Sequence, residues 1–443
     1  MAALIKQPHA WQHTIGSAFA EDLPELGLAT IDGLVEASHI PAQQHIFILL
    51  YLVLEPPQAQ VDTAPHALTL LYRLLDIHEA STLTPLIPSR SSSWATWWAN
   101  WQPEGKLERR VRRRVEECKH DGIWPLIWAR EPRESKPSTR GTSRDKSRAN
   151  SKANSSEEDE DEEMEEEEEE EEVVAEKVVS DRGWEVLEWL VALWEKDAVT
   201  SASGRSEAMV AQLGGPPKHD IPRDNADVPL AIIRQAFDDS GPSSFADTLR
   251  HRSSATSLLA LLIGVATPPL APFHQASLVF SLVQLLRTAT TPLVAAFKTL
   301  PWQAHAHVFA HALEDAAGVR AKNEKARNTS RARRGGQVEQ KGWEKGPWSP
   351  PTPEYALDLV ALPPADRSDE TAERMGLLGA SLVMRLVANV SDGSGWERAG
   401  EDEYLDGVSE SKVLCATLKV AARAAWATPA ASPPPLVPSS QSP

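Results

Sequence analysis

The chain has 443 residues, of which 41% are hydrophobic and 24% are charged, an ordinary composition for a globular protein. Its two cysteines, Cys118 and Cys415, exclude a disulfide framework and a Cys-x-x-Cys metal or redox motif. The longest apolar runs have nine residues, well short of the roughly 20 that a membrane-spanning helix needs. The N-terminal residues lack the apolar core of a secretory signal, so we expect a soluble intracellular protein.

The net charge of −18 is concentrated in one short segment. All residues from Glu157 to Glu172 except Met164 are Asp or Glu, which leaves a net charge of −3 for the rest of the chain. The folded parts are therefore nearly neutral. The acidity is a local feature and not a field over the whole surface.

Residues 1–131 predict an N-terminal helical lobe. Between residues 65 and 80, Leu68, Leu71 and Leu75 recur on one helical face, and charged residues occupy the opposite face. Alternating strand patterns are almost absent from the whole sequence. We therefore predict an all-α fold.

Two proline-punctuated units of similar length indicate helical hairpins. Each unit has an apolar helix, a proline pair at 56–57 or 268–269, a short linker and a second helix. Proline has no amide hydrogen and disfavours helix in the preceding residue, so each pair should end a helix, and Pro65 or Pro272 should start the next. Such hairpins are typical of HEAT-like and armadillo-like α-solenoids, although an irregular helical bundle also contains such corners.

Tryptophans recur at helical spacing before the charged segment. Trp94, Trp97, Trp98 and Trp101 fall at i, i+3, i+4 and i+7, so they share one helical face. Such a stripe is most often part of a hydrophobic core. Its functional interpretation is a docking groove, because Trp is enriched in interface hot spots. We name Trp94, Trp98 and Trp101 as candidates for partner docking.

A cluster of arginines between 109 and 114 lies on a predicted helix. Leu107, Val111 and Val115 recur every four residues in the same segment and predict its buried side. We therefore interpret the arginines as the solvated face of that helix.

Residues 132–180 have the composition of a disordered linker, basic in its first part and acidic in its second. Carboxylates at this density repel one another and must stay solvated. Three roles are open for them: to keep two domains apart, to dock basic partners, or to bind the chain's own basic stretch 133–152. Ser155 and Ser156 each precede an acid by three residues, so both are candidates for phosphorylation by acidophilic kinases.

Residues 181–318 return to helical spacing and predict a central lobe. His307 and His311 lie one helical turn apart in it, with Asp315 one turn further. Two imidazoles and a carboxylate are a zinc-binding set, so a metal-dependent hydrolase is our third functional hypothesis. We find no nucleotide-binding loop, nucleophile elbow or kinase signature, and we predict no catalytic residue, cofactor or metal.

Residues 319–353 are a second predicted linker, rich in cations. Short basic clusters bind the acidic grooves of import receptors. The nuclear-import candidates are Lys322, Lys325, Arg327, Arg331, Arg333 and Arg334. Residues 354–427 predict helices that pack on the central lobe, and residues 428–443 predict a disordered tail rich in Pro and Ser.

Together these features favour a binding protein over an enzyme. We predict a non-enzymatic nuclear or nucleolar scaffold that binds other proteins through an α-helical repeat surface, with a cytoplasmic location as the alternative. The second functional hypothesis is a chaperone for basic nuclear proteins, such as histones or ribosomal proteins, that uses the acidic segment. No aromatic residues are interleaved with the cations to stack on bases, so we expect no sequence-specific nucleic-acid binding. Because the apolar runs are too short to span a bilayer, we also expect no membrane partner.

Overall fold

A computed structural model describes residues 9–36, 39–56, 63–89, 100–103, 105–129, 178–213, 226–238, 244–266, 275–288, 290–319, 348–365 and 368–391. Within these ranges the chain is helical and forms no strand, which confirms the predicted all-α class. Most of the two predicted linkers and the whole predicted tail lie outside the described residues.

The described helices form two sets, one before and one after the predicted linker 132–180, which we call the charged segment. Before it lie α1 (His9–Ala20), α2 (Pro24–Glu36), α3 (Gln43–Leu54), α4 (Thr63–Ile77), α5 (Ala80–Leu83), a 3-10 turn (Thr84–Leu86), α6 (Lys106–Glu116), α7 (Cys118–Asp121) and α8 (Trp124–Ile127). After it lie α9 (Asp181–Thr200), α10 (Glu207–Leu213), α11 (Asp227–Phe237), α12 (Phe245–Val265), α13 (Gln275–Leu286), α14 (Thr291–Phe297), α15 (Trp302–Ala316), α16 (Pro353–Ala361) and α17 (Asp369–Ser391).

The first predicted hairpin is present. Helix α3 ends at Leu54, two residues before Pro56, and α4 has Pro65 in its first turn. The two helices pack on each other. Helix α3 is buried on nearly every side, whereas α4 buries Leu71 and Leu75 and exposes its charged face. Local proline chemistry and apolar spacing therefore account for this corner.

The second predicted unit is paired differently from the expectation. Helix α12 packs mainly on α11 and α9, and α13 packs mainly on α11 and α15. The reason is α11, a short amphipathic helix that buries Leu230, Ile233 and Phe237 and so competes for the apolar faces of its neighbours. The two helices around the second proline pair are consecutive in the chain without being each other's main partners.

The hydrophobic core is continuous across the charged segment. Helix α9 packs on α3, α4 and α5 before that segment and on α12 after it. Helix α11 then packs on α13, α13 on α15, and α15 on α16 and α17. Buried apolar residues from Ile15 to Leu386 belong to one cluster. The segments 1–131 and 181–318 therefore share a core in the part of the chain that the structure describes.

Hydrogen bonds reinforce that shared core. The Trp189 indole N–H on α9 donates to Leu71 O on α4 at 2.8 Å. Gln212 on α10 is buried and accepts from the Ile123 N–H at 2.9 Å, and its Nε2 donates to Pro88 O at 2.8 Å. Buried polar groups need such partners, because an unpaired one costs about 1–3 kcal/mol. These bonds fix the second half of the chain onto the first.

Candidate functional site

Of the three tryptophans named as docking candidates, the structure describes Trp101 and places it in the core. Trp101 is 9% exposed and belongs to the main hydrophobic cluster. The structure thus assigns Trp101 to the core and not to a docking surface, because the chain itself covers the indole. Trp94 and Trp98 lie outside the described residues. On α9, Trp189 and Trp194 are fully buried as well.

The other sequence candidates lie outside the described residues. These are the phosphorylation candidates Ser155 and Ser156, the acidic segment 157–172, and the six nuclear-import cations Lys322, Lys325, Arg327, Arg331, Arg333 and Arg334. The structure does describe the points at which the charged segment leaves the folded part of the chain and returns to it.

Residues 130–177 leave and re-enter the helical core at one place. The Ala129 N–H donates to Val178 O at 2.7 Å, and the Ser180 N–H donates to Ile127 O at 3.1 Å, around an isolated antiparallel β-bridge. The two ends of the charged segment therefore lie side by side. It is attached to the fold as a loop with a closed base, which we call the charged loop.

Gly183 permits the close approach at this base. Ser180 caps α9 by accepting a hydrogen bond from the Gly183 N–H at 2.9 Å. A Cβ atom at position 183 would lie 2.1 Å from Ile127 O, which is a backbone atom and cannot move away alone. A side chain at this position would therefore push the two ends of the charged loop apart.

Arg114 is a buried cation that connects α6 to the base of the charged loop. Its side chain is 6% exposed and pairs with Glu117 and, at 3.5 Å, with Glu55. Its Nη2 donates to Leu126 O at 3.0 Å and to Trp128 O at 3.3 Å. A buried charge is tolerated only when it is paired and hydrogen-bonded, and Arg114 meets both conditions.

We expect Arg114→Ala to lower the free energy of unfolding by about 2–3 kcal/mol, because two carbonyls at the loop base lose a charged donor. Arg113→Ala is the matched control on the same helix, where the side chain is exposed, and it should change that free energy by no more than about 0.5 kcal/mol. Urea denaturation of both full-length variants measures the difference. An equal loss of unfolding free energy in the two variants would show that the hydrogen bonds of Arg114 do not stabilise the base of the charged loop.

The exposed side of α6 has four cations on one face: Lys106, Arg109, Arg110 and Arg113. They stand at i, i+3, i+4 and i+7, and we call them the basic face of α6. The opposite side of the helix packs on α1 and α3. No ion pair within the described ranges joins any of the four to a carboxylate. For these residues the predicted solvated face is present, whereas Arg114 belongs to the buried side.

The helical spacing of the sequence is enough to predict that Arg114 is buried. It stands seven residues after Leu107 and three after Val111, both of which are buried. An i, i+4, i+7 pattern places all three on the same side of a helix. Arginines elsewhere in the run lie on the other side, so composition alone hides the difference.

A polar cleft of about 510 Å³ lies between the first turns of α9 and the first half of α12. Its charged lining consists of Asp181, Arg182, Glu185, Glu188, Asp247 and Arg250. The lining also contains a ring pair, Trp184 and His251, whose centroids are 4.2 Å apart and nearly parallel. The cleft begins three residues after Val178, so it adjoins the base of the charged loop.

The charges of this cleft are partly paired. Arg250 donates from Nε to Glu188 Oε2 at 2.9 Å, and this hydrogen bond raises the pKa of Arg250. Burial lowers the pKa of His251, so its imidazole is neutral at pH 7. Burial, and then the nearby Glu188 carboxylate, raise the pKa of Tyr72 to about 12. The cleft thus has a polar lining in which Arg250 and Glu188 are already paired.

The histidines of the zinc hypothesis belong to a network that connects α15 to the segment 348–361. His307 donates from Nδ1 to Ser349 O at 2.6 Å. His311 Nδ1 lies 2.9 Å from Glu314 Oε2, and the Tyr355 hydroxyl donates to Glu314 Oε1 at 2.5 Å. Burial lowers the pKa of His307 to about 4. The network fastens the C-terminal helices to α15.

Asp315, the third proposed zinc ligand, contacts a different part of the chain. Asp315 pairs with Arg287, the residue directly after α13, at 3.0 Å. In the part of the chain that the structure describes, no group of three or more His, Cys, Asp or Glu residues is placed to hold a metal ion. The structure thus distributes the proposed ligands among separate partners.

No family model, curated protein or solved structure matches this chain. Among the described helices, none is both long and apolar enough to cross a membrane. A function must therefore be inferred from the helical packing, the exposed surfaces and the charged loop.

Proposed function

We propose that the protein is a non-enzymatic nuclear or nucleolar scaffold that binds other proteins through an α-helical repeat surface of the HEAT or armadillo kind. The order of helix packing is the observation that supports this proposal. From α10 to α17, the main contacts of each helix are with helices no more than three places away in the chain. Solenoids are built in this way, since each repeat contacts only its neighbours.

Exposed apolar side chains support the binding role. Phe245 and Leu249 stand one turn apart on α12 and are 80% and 51% exposed. At the N-terminal end, Trp11 on α1 and Leu26 on α2 are 45% and 54% exposed. Exposed apolar surface of this kind is a feature of sites that contact other proteins.

The second candidate is an acidic chaperone for basic nuclear proteins such as histones or ribosomal proteins. The closed base of the charged loop favours it, because both ends of residues 130–177 are held at one place on the core. Residues 157–172 are thereby attached to the fold at both sides. An acidic segment attached in this way can bind a cationic partner while the helices only support it.

One experiment separates the two roles. Asp and Glu within 157–172 are replaced by Asn and Gln, which keeps the length of the charged loop, and proteins bound to each form are recovered from the native cell. The scaffold predicts that the neutral form retains most of the partners, and the chaperone predicts that it loses them. A neutral form that binds purified core histones as tightly as the native chain would exclude the chaperone.

The location is tested independently. The six import candidates are changed together to Ala in a fluorescent fusion, with the exposed Arg109, Arg110 and Arg113 changed to Ala as the control of equal charge sign. The nuclear proposal predicts that only the first variant leaves the nucleus. Identical distributions of the native chain and the first variant would contradict import through these cations.

A further inference from the structure

The basic face of α6 is a concentrated positive charge on the surface. Lys106, Arg109, Arg110 and Arg113 are all exposed, and neighbours on a helix face are about 5–6 Å apart. Like charges at i+3 and i+4 destabilise a helix unless an anion lies between them. No described carboxylate is paired with these four groups. The helix therefore offers a preformed site for an extended anion.

The base of the charged loop is held by the buried side of the same helix. Arg114 follows Arg113 in the chain, and it donates to Trp128 O at the point where the charged loop begins. At the other end, the acidic segment finishes at Glu172, six residues before Val178. Six residues span at most about 20 Å, and the four cations extend over about 11 Å of helix. The acidic segment therefore ends within about 20 Å of Val178, and its sixteen residues are long enough to cover the basic face.

We propose that the basic face of α6 binds the chain's own acidic segment, residues 157–172. Fifteen carboxylates in that segment complement the four cations. A short tether gives an effective concentration in the millimolar range, so the internal contact forms ahead of most free partners. A basic partner of the acidic segment must displace it from α6, and an anionic partner of α6 must do the same. The contact therefore couples the two charged surfaces, and it does not depend on the scaffold role.

Charge density and preorganisation favour α6 over the chain's own basic stretch. Residues 133–152 contain seven Lys or Arg and two acids spread over twenty residues. The basic face of α6 has four cations within eight residues, already held on a helix. A preorganised site loses less conformational entropy on binding. The basic stretch 133–152 is the competing site for the acidic segment.

Cross-linking of the full chain gives a direct readout. A carbodiimide joins an amine to a carboxylate that it contacts, and Lys106 supplies an amine on the basic face of α6. We expect mass spectrometry to find Lys106 joined to a peptide from 157–172. The yield should fall steeply in 1 M salt, where the Debye length is about 3 Å. Absence of this cross-link at low salt would overturn the proposal.

A peptide with the sequence of residues 157–172 tests the same contact from outside. We expect this peptide to bind the neutral form of the chain, in which Asn and Gln replace the acids of residues 157–172, at least about tenfold more tightly than it binds the native chain. In the native chain the acidic segment already occupies the basic face of α6. Changing Arg109, Arg110 and Arg113 to Gln in the neutral form should remove this binding. Equal affinity for the native and neutral forms would contradict an occupied site.

The matched control changes Arg133, Arg140 and Arg144 to Gln in the neutral form. It removes the same charge from the basic stretch and should leave the affinity of the peptide unchanged. Loss of binding in this control, with retention in the α6 variant, would place the acidic segment on the basic stretch and overturn the proposal. Thermal denaturation of each variant shows whether the fold is kept.

Discussion

Acidification from pH 6.5 to pH 4 should unfold the protein, because three histidines resist protonation in the folded state: His45 and His305, which are buried, and His307, which is partly buried. Burial lowers the pKa of His45 to about 4, of His305 to about 3 and of His307 to about 4, from 6.5. Their stabilising contribution is complete above pH 6.5. It is lost as the pH falls towards the lowered pKa, since only the unfolded chain then takes up protons. Each group accounts for about 3 kcal/mol, against a total stability of about 5–15 kcal/mol for a typical domain.

His45 gives the cleanest test of this explanation. It is fully buried on α3, and neither of its ring nitrogens has a hydrogen-bond partner among the described residues. His45→Leu should therefore keep or raise the stability at pH 7.5, because Leu has no polar group to satisfy. At pH 5 the variant should exceed the native chain by about 2 kcal/mol more than it does at pH 7.5.

The free energy of unfolding in urea at the two pH values measures this difference. His13→Leu, which removes an exposed imidazole from α1, is the control. A stability difference between His45→Leu and the native chain that does not vary with pH would show that His45 is not responsible for acid unfolding.

Features with local signals could be predicted from the sequence. The α3–α4 corner follows from the proline pair and from the spacing of Leu71 and Leu75. The all-α class follows from the absence of strand alternation. Such patterns involve residues within one or two helical turns of each other, so they are readable without knowing the rest of the fold.

Features that depend on distant contacts could not be predicted. Ala129 and Val178 are 49 positions apart, and the segment between them has the composition of a linker. A linker composition is the same whether its two ends meet or separate. The pairing of α12 with α11 is similar, since it depends on which apolar faces compete and not on order in the chain.

In the candidate site, too, local features could be predicted from the sequence and distant contacts could not. The exposed cations of α6 follow from helical periodicity, and so does the buried position of Arg114 once its spacing from Leu107 is counted. Its acceptors, Leu126 O and Trp128 O, lie beyond the end of the helix, and no periodicity indicates them. Spacing therefore predicts which side of a helix a residue occupies, and the fold decides what it meets there.

Cutting the charged loop should leave the two halves of the protein bound to each other. The Trp189 indole of α9 donates to Leu71 O at 2.8 Å, and Lys196 donates to His78 O at 2.9 Å. Helix α9 also packs on α3, α4 and α5 through a continuous apolar core. An apolar interface of this extent contributes roughly 25 cal/mol for each Å² removed from water, and it does not require a covalent link.

The measurement is size-exclusion chromatography after cleavage at a protease site introduced between Ser151 and Asn154. A single core with a closed loop predicts one peak in native buffer, at the elution volume of the uncut protein and containing both fragments. The fragments should separate only in denaturant. Two peaks in native buffer, one for each fragment, would show that the halves are independent lobes and would contradict the shared helical core.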